Sequence, residues 1–132
     1  MNEPTLPIVN WPEESGSYKV IQLLDKVGQQ PYLRFDDTSG YSPDGHMFTL
    51  YGFAEEIGTK LVEAIGNPLK KILPEDCGYE LIGAGECELN LEGKIASFKG
   101  GSGTYGLFID ENHLKKIKEK APSWRIIYGS EL

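Results

Sequence analysis

Glu86-Cys87-Glu88-Leu89-Asn90-Leu91, followed by Glu92-Gly93 and Lys94-Ile95-Ala96-Ser97-Phe98, is the stretch on which the fold turns. Polar and apolar residues alternate strictly from Glu86 to Leu91. That is the period of a strand with one wet face, and it places Cys87, Leu89 and Leu91 together on the other. Glu92-Gly93 suits a two-residue hairpin loop into the run that ends at Phe98. Gly100-Gly101-Ser102-Gly103 then turns the chain into Tyr105-Gly106-Leu107-Phe108-Ile109, so a three-stranded meander is expected.

Toward the C-terminus, Asp110 stands as N-cap of a short surface helix over 111–120 with the apolar stripe Leu114, Ile117 and Ala121. Pro122 stops it, and 124–128 is a last strand. Toward the N-terminus, 53–65 carries a helical period. Phe53, Ala54, Ile57, Leu61, Ala64 and Ile65 fall on one face, and Glu55, Glu56, Thr59, Lys60 and Glu63 on the other. Gly66 and Asn67-Pro68 would close this helix. Met47 to Tyr51 is a short apolar run, either a buried strand or the lead-in to the helix.

Val20, Ile21, Leu23, Leu24 and Val27 also recur at helical spacing, with Ser17 and Gly28 as caps. A hairpin of this segment with 32–35 is the competing reading. Residues 1–16 hold three prolines and read as an extended arm, tacked down by Ile8, Val9 and Trp11. The fold class is therefore α+β: one domain over 1–132, an antiparallel sheet from 79–128, and the amphipathic helix 53–66 packed on one face.

The chain has 132 residues, 39% hydrophobic and 25% charged, enough to bury a core without disulfides or metals. Its 16 glycines, about 12% of the chain against a usual ~7%, sit in many cases between apolar runs, where tight turns need them. The formal charge is −7, and 1–66 carries four bases against ten acids. An excess of this sign repels phosphate backbones and favours cationic partners. With only Cys77 and Cys87, no disulfide framework is expected. The first residues show no basic region followed by an apolar one, so a cytoplasmic chain is expected.

Gly101-Ser102-Gly103-Thr104-Tyr105-Gly106 matches G-x-G-x-x-G, but it leads into a strand-like run. A dinucleotide site needs a helix there, so the glycines read as turn residues. Asp36, Asp37, Asp44 and His46 gather hard ligands in one loop, yet Thr38 and Gly40 break the EF-hand spacing. Cys87 reads as core, and Cys77 beside Asp76 lacks an activating neighbour.

No motif names a reaction, and no cofactor is expected. A small acidic chain of this kind fits a stoichiometric inhibitor that masks a basic partner. Immunity proteins that neutralise toxin nucleases act in this way, and the analogy is one of size and charge. The partner-binding face would comprise Asp36, Asp37, Tyr41, Asp44, Glu55, Glu56 and Glu63. The alternative is a small-ligand or divalent-metal enzyme using Asp36, Asp37, Asp44 and His46.

Overall fold

The computed structural model describes residues 6–36, 45–103 and 105–129, and its longest strands lie side by side in the middle of the main sheet. Strand β1 (Gly16–Asp25) pairs with β2 (Pro31–Phe35) across the turn 26–30. Helix α1 (Gly45–Glu56) and the ribbon β3 (Val62–Ala64) with β4 (Asn67–Ile72) follow. The twelve-residue β5 (Tyr79–Asn90) then inserts beside β1 and continues through a hairpin into β6 (Ile95–Lys99). A small ribbon, β7 (Gly101–Ser102) with β8 (Leu107–Phe108), leads to helix α2 (Glu111–Lys120) and β9 (Arg125–Tyr128). Among the described residues the main sheet runs β2-β1-β5-β6-β9, antiparallel except for the β6–β9 pair.

The fold mixes α and β as expected, but three elements differ from the sequence reading. First, the segment expected as a helix over 18–27 is strand to Asp25 and turn beyond it, pairing with β2 as the competing hairpin reading had it. Val20, Ile21, Gln22 and Leu23 are all fully buried because β1 is an inner strand covered on both faces. Val20 packs with Cys87, Phe98, Leu114 and Ile117 on the α2 side. Ile21 packs with Leu50, Phe53 and Ala84 on the α1 side. A strand buried twice has a continuous apolar run, and the alternation that marks a strand is lost.

Second, the helix expected over 53–66 starts earlier and ends sooner. Thr59 N donates to Ala54 O at 2.9 Å and Gly58 N to Glu55 O at 3.2 Å, with Gly58 at φ +74°. This is a Schellman close, and glycine takes its left-handed position at no steric cost. Gly66, at φ +80°, lies between β3 and β4, whose facing residues are Ala64 and Asn67.

Third, the meander stops after two strands. The hairpin 86–98 forms, with the turn 91–94 closed by Gly93 N donating to Asn90 Oδ1 at 2.9 Å. The neighbour of β6 is β9 rather than 105–109, and helices cover both faces of the sheet, not one. The chain after β6 instead folds back against β5. A Cβ on Gly85 would sit 2.5 Å from Lys99 O and 2.6 Å from Ile109 Cγ1, so two chain passes meet where β5 has no side chain.

Helix α2 matches its expected bounds. Asp110 Oδ1 accepts from His113 N at 3.0 Å as the N-cap, and Leu114 and Ile117 are buried. No helix among the described residues is long and apolar enough to cross a membrane.

Candidate functional site

Arg34, on β2, organises a cleft between the N-terminal arm and α1. It is 4% exposed, and its guanidinium is fully used. Nε donates to Glu56 Oε2 at 2.7 Å and Nη2 to Glu56 Oε1 at 2.9 Å, the two-point geometry that suits arginine and carboxylate. Nη2 also donates to Pro7 O, and Nη1 to Ile8 O and Leu33 O, at 2.7, 3.1 and 2.9 Å. One buried cation thus ties the N-terminal arm, β2 and the last turn of α1 together.

The arm forms one wall. Leu33 N donates to Ile8 O, and Val9 bridges to Leu33, so the arm runs along the open edge of β2. Trp11 stacks on Trp124 with centroids 3.8 Å apart and planes 11° from parallel, and it tilts against Phe35 at 5.6 Å. Tyr18 Oη donates to Glu14 O at 2.8 Å; burial and then the Glu14 charge raise its pKa, so the donor proton stays in place. Helix α1 forms the other wall through Phe48, Thr49, Gly52 and Phe53. The cleft, open on one side, holds about 670 Å³, within the range of small-ligand and side-chain pockets.

The lining combines rings and charge. Trp11, Tyr18, Phe35, Phe48 and Phe53 line the space, with Glu13, Glu14, Asp36 and Glu56 against Arg34, the one cation of the lining among the described residues. Glu13 and Glu14 are exposed at the rim, whereas Asp36 is 2% exposed. The Asp36 carboxylate lies against Gly45, where a methyl group would collide with it, at the helix end that favours negative charge. A second cleft of about 640 Å³ lies between β4 and the start of β5; its Lys26 and Lys70 are balanced by Glu75 and Glu80.

The residues expected to form a partner face are partly separated. Asp36 and Glu56 line the cleft, Glu56 pairing with Arg34 while its side chain stays partly open to solvent. Glu55 is exposed on α1, outside the lining, and Glu63 stands on β3, 3.4 Å from Lys71. Glu55, Glu56 and Glu63 therefore do not share a helix face, because α1 ends at Glu56. Asp37, Tyr41 and Asp44 lie outside the described residues. Trp11, Glu13, Glu14 and Phe48 are the additions; the sequence signal for the first three was a proline-framed acid pair next to an aromatic, Trp11-Pro12-Glu13-Glu14.

The groups considered for other chemistry have structural partners. His46 donates its Nε2 proton to Gly85 O at 2.8 Å, and burial lowers its pKa. Burial pushes the Cys87 thiol up to about 12, and both cysteines are free. Thr49 Oγ1 donates to Gly45 O at 2.7 Å. Among the described residues no three His, Cys, Asp or Glu side chains are placed to hold a metal ion.

Gly52 is the anomaly of this wall. It sits inside a helix, where glycine costs about 0.5–1 kcal/mol relative to alanine, and a Cβ there would meet nothing within 4 Å. Gly52→Ala is therefore expected to raise stability by about 0.5–1 kcal/mol in urea unfolding. A loss of stability would show that the position is constrained after all.

No protein-family model matches the chain, and no curated protein matches it.

Proposed function

We propose that this chain is a protein-binding inhibitor whose acidic, ring-lined cleft masks a basic surface of its partner. One observation carries the proposal: four carboxylates and five aromatic rings line a cleft whose one cation among the described residues, Arg34, is already paired with Glu56. Carboxylates supply attraction and encounter rate, while rings supply contact area and accept cations on their faces. A toxin nuclease exposes such lysines and arginines for its substrate's phosphates, and an immunity protein acts by covering them.

The test is capture of partners from the native host's lysate on the immobilised chain, eluted by a salt gradient. The wild type is compared with the double variant Glu13→Lys/Glu14→Lys. One basic protein should leave the wild-type column at intermediate salt, with its retention cut about tenfold or more on the variant, a difference of ~1.4 kcal/mol. Equal retention on both columns would remove these carboxylates from the interface.

A further inference from the structure

We infer that the partner enters the cleft as an extended segment bearing an arginine, with its main chain crossing α1 at Gly52. The inference rests on the proposed role of the cleft as a site for a basic partner, and it specifies what occupies that site.

Two features of the free protein ask for an occupant. Gly52 leaves open space at a helix position where alanine would fit and stabilise. Missing side chains are what allow another backbone to approach closely. One turn earlier on the same face, Phe48 is 49% exposed, although it lines the cleft opposite the arm. Both line the cleft, Gly52 with bare main chain and Phe48 with an exposed ring, and we call them its notch and its shelf. Arginine suits the shelf better than lysine because its planar, weakly hydrated guanidinium stacks on aromatic faces. Glu13 and Glu14 at the rim can then take its N–H groups in pairs.

The two tryptophans of the chain, Trp11 and Trp124, are stacked on each other, and Trp11 lines the cleft. Intrinsic fluorescence of the intact chain therefore reports occupancy directly. The probes are a blocked hexapeptide alternating glycine and arginine, its lysine counterpart and its uncharged citrulline counterpart, at low salt. The arginine peptide should give a saturable change, with lysine weaker and citrulline weaker by at least about tenfold. Gly52→Gln, which fills the notch, should weaken the arginine peptide by at least about tenfold while leaving the thermal midpoint unchanged or raised. An absent response to the arginine peptide, equal binding of citrulline, or undiminished binding to Gly52→Gln each overturns the inference. The same variant separates the two levels of the argument. If Gly52→Gln still retains a lysate partner that Glu13→Lys/Glu14→Lys loses, the passage over Gly52 is wrong and the acidic interface stands. If neither variant loses it, the interface itself is wrong.

Discussion

Arg34→Met is expected to destabilise the protein by about 2–4 kcal/mol, because a buried guanidinium gives up all its hydrogen bonds while the Glu56 carboxylate left behind keeps some access to water. The number is large because one side chain serves four other residues. Removing it leaves the Glu56 carboxylate without its cation and strips a hydrogen bond each from Pro7, Ile8 and Leu33 carbonyls. It also removes a cation lying over the rings of Tyr32 and Phe53, at 5.7 and 5.4 Å. Against a total stability of about 5–15 kcal/mol, this is a large share of the whole. Urea denaturation measures the loss, and a change in Trp11 fluorescence before the main transition would register release of the arm. Adding Glu56→Leu to Arg34→Met should restore part of the stability, because the orphaned carboxylate goes with it. A single-variant loss below about 1 kcal/mol would place Arg34 among ordinary surface pairs.

Acid is expected to weaken the fold well above the pH at which carboxylates titrate, through His113. This ring is 2% exposed, and its Nε2–H is shared between Leu23 O and Tyr32 O at 3.1 and 3.0 Å. Nδ1 accepts from Gln22 Nε2 at 3.1 Å. The Gln22 amide is itself fixed, donating to Asp110 O and accepting from Asp110 N. A proton on Nδ1 would face a donor in a buried site, so the histidine stays neutral. Burial is the main cause of its low pKa, about 4 against an ordinary 6.5; the carbonyls and Asp110 oppose the shift, and Lys116 adds to it. The unfolded chain takes up this proton as pH falls below 6.5, and the native chain does not until about 4. Stability is therefore fully present above 6.5 and is lost on going down. The loss is about 2 kcal/mol between about pH 7 and about pH 5, and about 3 kcal/mol once pH is below 4. Unfolding free energies at several pH values test this, with His113→Gln as control. A flat profile, or an equal slope in the control, would assign the acid sensitivity elsewhere.

How much of this was legible in the sequence depended on how many faces each element buries. Helix α2 buries Leu114 and Ile117 on one side and keeps Lys115 and Glu119 in water, so its stripe, cap and stop were all visible. The outer half of β5 was equally plain, because Glu86 and Glu88 are exposed while Cys87 and Leu89 are buried. Strand β1 was hidden because its two faces meet different helices. Helix α1 was misplaced for the opposite reason. Its buried set His46, Leu50, Phe53 and Ala54 has helical spacing, but Phe48 and Tyr51 put apolar residues on the exposed face. Leu61, Ala64 and Ile65 then prolonged the pattern by coincidence across Gly58, which in fact ends the helix. The cleft was the least legible part, since it joins an arm, two strands and a helix that are neighbours only in space. Of the two rings that obscured α1, Phe48 lines the cleft that the proposed function requires.

The central pairing also bears on how the chain is made. Ser17 faces Glu88, and all of residues 26–78 lie between β1 and β5. At a synthesis rate of about 5–20 residues per second, β1 waits roughly 3–10 seconds for its inner neighbour. During that interval the β1–β2 hairpin presents an unpaired edge next to Val20, Ile21 and Leu23, the kind of edge that recruits strands from other chains. A nascent chain is thus most exposed to aggregation between the emergence of its first hairpin and the arrival of residue 89, a hazard that the finished sheet, with β1 enclosed, no longer carries.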